Sequence, residues 1–188
     1  MELGEDENVL FDGRVEADKM TMQGIVAIED PIREEVPSAI NDCLSAGIKV
    51  KIVTGDTPGT AKEIGRQVGL WTETDTDKNI LLGPDVASMS DEELKQKIQD
   101  VKIISRARPN DKERVVKALK ELGEVVAVTG DGTNDAPALS KSDVGFAMFA
   151  GTDIAKQASD IVIIDNNFSS IITAIIYGRN IYDNIKKF

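Results

Sequence analysis

The 188 residues contain no histidine, which excludes histidine-dependent catalytic triads and most zinc sites. A single cysteine, Cys43, excludes an internal disulfide and suits a reducing compartment. Aromatics make up only 4% of a chain that is 41% hydrophobic, so the expected core is aliphatic. No apolar run approaches the ~20 residues needed to cross a bilayer. The acidic start has neither the basic n-region nor the apolar h-region of a signal peptide, so the chain as given is expected to be soluble. Basic residues are also scarce: 22 Lys and Arg against 33 Asp and Glu leave a net charge of −11. Without a basic patch to neutralise phosphates, nucleic acid is not an expected partner. The acidic clusters Glu2, Glu5, Asp6, Glu7 and Asp91, Glu92, Glu93 read as solvated surface.

What is present is an alternation. Short β-branched runs occur at Gly24 to Ile28, Lys49 to Thr54, Lys102 to Ser105, Val125 to Thr129, Val144 to Met148 and Ile161 to Ile164. Stretches of helical spacing lie between most of them, and near-continuous apolar strands imply burial on both faces. Strand then helix, repeated, predicts an α/β fold: a doubly wound, mostly parallel, Rossmann-like sheet. Helices are expected after Asp30-Pro31 and Pro37 up to Gly47, after Thr57-Pro58-Gly59 up to Gly69, and over Asp111 to Leu122. Trp71 to Ser90 turns polar and irregular, which predicts an excursion outside the core. Residues 1–20 read as a tail or an interdomain return segment, residues 21–167 as the core domain. Residues 168–188 form a long C-terminal helix with a broad apolar stripe. Its front half is expected to pack on the sheet. Its back half is either surface helix or a strut into something further.

Ligands of such sheets bind at the carboxyl ends of the strands. Three suggestive turns fall there: Thr54-Gly55-Asp56, Arg106-Ala107-Arg108-Pro109, and the octet Gly130-Asp131-Gly132-Thr133-Asn134-Asp135-Ala136-Pro137. The octet places two carboxylates four residues apart at the tip of an expected buried strand. Such a pair is costly without a cation, and Mg2+ beside a phosphate is the natural occupant. Thr54 offers a hydroxyl and free amides to a phosphate, although a helix cap explains it equally well. Lys112 opens a helix against the macrodipole, a position that improves if it faces a phosphate or carboxylates. Donors, a positive charge and a metal anchor are the three needs of phosphoryl transfer.

Asp30-Pro31-Ile32-Arg33, Val53-Thr54-Gly55-Asp56, the run Val128 to Leu139, and Gly151-Thr152-Asp153-Ile154-Ala155-Lys156 together resemble the phosphorylation domain of P-type ATPases, within the haloacid-dehalogenase-like superfamily. The resemblance runs from about Thr21 to Phe188. Asp143 to Met148 and Ala150 to Asp160 are most similar to the calcium-pump group, particularly the plasma-membrane type. Asp165 to Ile171 continues the match into the stalk of a transmembrane helix, which favours a strut for the final helix. Phe149 departs from the family, which has small residues there.

The resemblance implies that Asp131 binds Mg2+ with Asp135 in support. It implies that Thr54 and Lys112 contact the transferred phosphoryl, and that Asp131 with these two forms the catalytic set. Gly55 and Asp56 would line the site, Asn134 would hydrogen-bond near the phosphate, and Arg106, Asp30 and Arg33 would approach the nucleotide, ATP. The family's nucleophile lies in Asp-Lys-Thr-Gly-Thr, and no Asp-Lys pair here continues that way. The expectation is therefore a piece of a cation pump, inactive alone and lacking the first strand with the nucleophile. Its partners would be the nucleotide-binding, actuator and transmembrane domains of that pump and its transported cation, with this piece on the cytoplasmic side. Two alternatives remain at this point. One is a soluble phosphatase of the same superfamily using Asp75-Thr76-Asp77; the other is a non-catalytic binding module.

Overall fold

The computed structural model describes residues 31–187, together with the backbone of β1 (Leu10–Phe11) and β2 (Arg14–Val15). The expected strand Gly24 to Ile28, Asp30 and Phe188 lie outside the described residues. β1 and β2 form a two-stranded antiparallel hairpin, with Leu10 opposite Val15.

The second unit begins at Ile32. In chain order it runs α1 (Val36–Ser45), β3 (Ile52–Val53), α2 (Pro58–Gln67), β4 (Ile80–Leu82), α3 (Gly83–Ser88) and α4 (Asp91–Ile98). It continues with β5 (Ile103–Ser105), α5 (Pro109–Glu121), β6 (Ala127–Gly130), α6 (Ala136–Lys141) and β7 (Val144–Met148). It closes with α7 (Asp153–Ala158), β8 (Ile161–Ile163) and α8 (Ser169–Lys187). The strands make two parallel three-stranded sheets, ordered β3-β5-β4 and β6-β7-β8. The α/β class and parallel pairing are as the sequence implies; the expected single sheet is divided.

The helices follow their sequence signals. α1 turns Ala39, Ile40 and Cys43 inward. α2 starts where the Thr57 hydroxyl accepts the Thr60 N–H, and the chain leaves it through Gly69 at φ 76°, a conformation open to glycine. α4 opens with a reciprocal cap that the acidic cluster conceals: Glu93 accepts the Ser90 N–H at 2.8 Å while Ser90 Oγ accepts the Glu93 N–H at 3.3 Å. Val86, Leu94, Ile98 and Ile104 are then fully buried together. α8 buries Ile171 and Ile172 but leaves Ile181, Tyr182 and Ile185 60–67% exposed. Among the described residues no helix is long and apolar enough to cross a membrane.

Two expectations need correction. The stretch before Ser90 is not an excursion: β4 pairs in register with β5, Ile80 opposite Ile103, and α3 puts Val86 into the core. A three-residue strand between turn residues is too short for its period to register. The second correction concerns the run Val125 to Thr129, expected to be buried on both faces. Val125 is 86% exposed, and Ala127 and Thr129 of β6 are exposed too. Among the described residues β6 is a sheet edge, as is β3, and an ion pair between Lys49 and Glu124 at 3.4 Å joins the segments leading into them.

Asp75 is a buried anchor of the corrected stretch. Burial works to raise its carboxyl, but Lys102 at 2.8 Å and the Thr72 N–H and hydroxyl outweigh it, so its pKa sits below the usual value. The sign follows: a carboxyl depressed in the folded state contributes stability above ~3.9, and that contribution is lost as pH falls through the folded value. Asp75→Asn is expected to cost about 1–2 kcal/mol at neutral pH, less than a fully buried pair because screening reaches the Lys102 end. Urea unfolding at pH 7 and pH 3 checks this: the deficit of the variant should shrink at the lower pH.

Candidate phosphoryl-transfer site

β6 delivers the octet. After Gly130 the chain passes Asp131 and Gly132 and makes a single 3₁₀ turn over Thr133–Asp135 before α6. Gly130 is required by space, since a Cβ there would lie 2.4 Å from Asp135 Cβ. That contact seats the Asp135 carboxylate inside the loop. Its Oδ2 accepts the Gly132 N–H at 3.1 Å, and its Oδ1 meets Lys112 Nζ at 2.6 Å. Both side chains are largely covered, 15% and 20% exposed, so little water screens the pair.

Lys112 lies in the first turn of α5. Pro109 occupies an N-terminal position where its missing N–H costs nothing, and Asp111 caps the turn by accepting the Arg108 N–H at 2.8 Å. The ammonium opposes the helix dipole there, and Asp135 offsets that penalty. Asp131 differs from Asp135: it is exposed, and its carboxylate takes no hydrogen bond or ion pair among the described residues. One acid is engaged in holding the loop, while the other is available to a ligand.

The other turns gather at the end of the first sheet. Thr54 Oγ1 donates to Asp56 Oδ2 at 2.8 Å and accepts the Asp56 N–H at 3.1 Å. The Thr54 carbonyl accepts the Ala107 N–H and the Asp56 carbonyl accepts the Arg106 N–H, both at 2.9 Å. Gly55 is exposed at the tip. Arg106 is held at φ 51°, an unusual conformation for a non-glycine residue. Gly83 explains how the loop fits: a Cβ there would lie 2.2 Å from the Arg106 carbonyl oxygen. This close approach, hidden in the stretch read as irregular, escaped sequence reasoning.

The sequence candidates thus fall into two contact groups. Lys112 meets Asp135 beside Asp131; Thr54, Gly55 and Asp56 meet the Arg106–Ala107 turn. No hydrogen bond or ion pair among the described residues joins the groups. Their connection is the chain from Ala107 into the first turn of α5. Asn134 is exposed in the octet, and Asp30 lies outside the described residues. Arg33 Nη1 donates to the Asn166 carbonyl at 2.6 Å, tying the start of this unit to the turn before α8.

Among the described residues no group of three or more acidic or cysteine side chains gathers as a metal cage. Mg2+ keeps several waters and is held by one or two carboxylates plus phosphate oxygens. The free Asp131 carboxylate, on an open turn with glycine on both sides, fits that requirement; a caged ion such as structural Ca2+ would need more ligands.

Comparison with known proteins agrees with the geometry. A family model described as haloacid dehalogenase-like hydrolase matches residues 2–143. The chain is 49% identical over 170 residues to calcium-transporting ATPase 2 of Schizosaccharomyces pombe, covering 90% of this chain and 13% of that protein. It is 46% identical over 183 residues to human plasma membrane calcium-transporting ATPase 4, covering 90% of this chain and 15% of that protein. Among solved structures, a zinc-transporting PIB-type ATPase in its E2.Pi state superposes with a TM-score of 0.65 at 26% identity, over 85% of this chain and 21% of that one. The resemblance to P-type ATPases read from the motifs is borne out. The chain spans less than a fifth of the length of these calcium-transporting relatives.

Proposed function

Because this chain belongs to the haloacid dehalogenase-like hydrolase family, we propose that it supplies the Mg2+ and phosphate contacts of an aspartyl-phosphate site in an ATP-driven Ca2+ pump. The observation that carries this reading is the division of labour in the octet: Lys112 occupies Asp135 and leaves Asp131 free. When bound, Mg2+ would offset charge on the transferred phosphoryl group and on the carboxylate that receives it. Asp131 would hold the ion. Asp135 fixes the loop through Gly132 and sets the position of Lys112. The Lys112 ammonium faces the phosphoryl oxygens, where charge spreads in a loose transition state. Thr54, Gly55 and Asp56 line the same oxygens, the Thr54 hydroxyl and the Asp56 amide exchanging the bonds they make to each other for bonds to the phosphate, with Asn134 beside them. By the family resemblance, Arg106, Arg33 and Asp30 are the residues that would approach the nucleotide, ATP.

The nucleophilic aspartate comes from outside these residues, on a strand of the same pump. Two sheet edges among the described residues, β3 and β6, are consistent with its place: β6 exposes residues that read as buried, and edges left unpaired among the described residues invite a further strand. The nucleotide-binding, actuator and transmembrane domains complete the pump. α8, with its exposed apolar back half, leads as a strut toward the membrane from the cytoplasmic side. The phosphatase alternative has no support in the geometry. Asp75 is engaged by Lys102 and Thr72, and Asp77 pairs with Lys62 at 3.1 Å.

Backbone amide NMR of the 188-residue chain tests the reading. Mg2+ at millimolar concentration should shift Asp131 to Asn134 first. Shifts confined to surface acids such as Asp91 to Glu93 would refute it.

A further inference from the structure

The stretch Gly151-Thr152, which the residue-level reading left without a chemical role, touches the octet. Thr152 N–H donates to the Asp131 carbonyl at 2.8 Å. Beside it, a Cβ on Gly151 would lie 3.0 Å from Asp131 Cα, 3.0 Å from the Asp131 carbonyl oxygen and 3.0 Å from the Met148 carbonyl oxygen. The Gly151 N–H is itself bonded to Met148 O at 2.9 Å. The turn after β7 therefore lies against the backbone of Asp131, through the Thr152 amide and the Gly151 Cα. Thr152 Oγ1 is committed elsewhere, accepting the Ala155 N–H at 3.2 Å to cap α7.

We infer that Gly151 and the Thr152 amide are positioning residues that brace the Asp131 backbone and thereby set the affinity of its carboxylate for Mg2+. The inference rests on the proposed function for the identity of the ion, and not for the brace itself. Asp135 fixes the far end of the octet through Lys112 and the Gly132 amide, whereas the Asp131 side chain has no anchor among the described residues. Without the Thr152 hydrogen bond, the Asp131 main chain gains freedom that metal binding must remove. A residue larger than glycine at 151 pushes the same backbone away.

The hydroxyl and the amide of Thr152 separate cleanly by substitution. Thr152→Ala removes the cap of α7 and keeps the N–H. Thr152→Pro removes both, at a position whose φ of −64° already suits proline. Isothermal titration of the full chain with MgCl2 is expected to give Thr152→Ala an affinity near wild type, and Thr152→Pro and Gly151→Ala about tenfold weaker binding, the usual scale for a lost outer contact. Amide hydrogen exchange at Gly132 without Mg2+ should rise in Thr152→Pro relative to Thr152→Ala. Circular dichroism establishes that each variant is folded, and Gly151→Ala carries the test if Thr152→Pro is not. Equal affinities and equal exchange across folded variants would overturn the brace. Wild-type chain that binds no Mg2+ while exchange still rises in Thr152→Pro would instead sink the proposed function and leave the brace standing.

Discussion

Asparagine in place of Asp131 is expected to lower phosphoryl transfer from ATP by about 10³ in a pump that carries this chain, with little change in fold stability. The two halves of that expectation come from the same observation. The Asp131 carboxylate is exposed and makes no hydrogen bond or ion pair among the described residues, so an isosteric amide costs the structure little. It is also the acid in the octet left unpaired, so losing its charge removes the anchor of the ion. Raising Mg2+ should recover part of the rate, because the defect is one of binding and charge rather than of geometry. Asp135→Asn is expected to behave differently: it releases Lys112 and loosens the loop, so stability falls together with rate. A single-turnover measurement beside a urea titration distinguishes the two.

Gly130→Ala is expected to be severely damaging. Its Cβ would lie 2.4 Å from Asp135 Cβ and 2.8 Å from Asp135 Cγ, distances that no packed structure holds. Either β6 shifts or Asp135 leaves the loop, and leaving breaks both the Gly132 hydrogen bond and the Lys112 ion pair. Overpacking and a broken, mostly covered ion pair together suggest a loss of about 3 kcal/mol. Gly132→Ala is the internal control. There the new Cβ comes no closer than 3.4 Å to Asp135 Oδ2, and φ is −95°, which any residue adopts. Equal losses in the two alanine variants, read from urea midpoints, would contradict the steric account.

Much of this was legible in the sequence, and for identifiable reasons. α1, α2 and α5 carry long amphipathic patterns between strong start and stop residues, so periodicity and capping locate them. The octet combines residue types that few functions other than anion and metal binding require together. What the residues alone did not give was of three kinds. β4 and α3 are short and polar at their borders, and their place in the sheet is fixed by Ile80 meeting Ile103 and by Val86 reaching the core, contacts distant in sequence. The split of the octet acids, with Asp131 on the ion and Asp135 in support, came from the family resemblance and not from the residues themselves. Asp131 and Asp135 are the same residue type, and only the position of Lys112, delivered by another helix, decides which of them is engaged. The exposed β6 is a third case: its apolar letters describe a strand with neighbours on both sides, and a neighbour on one side is missing from the described residues.

Where the phosphate goes is the most direct measurement. A pump carrying this chain, incubated briefly with Mg2+ and γ-labelled ATP and quenched in acid, should hold the label in a hydroxylamine-labile bond on an aspartate outside these 188 residues. Label on a residue within them, or a bond that resists hydroxylamine, would contradict a site in which this chain binds the metal and phosphate while another segment supplies the nucleophile.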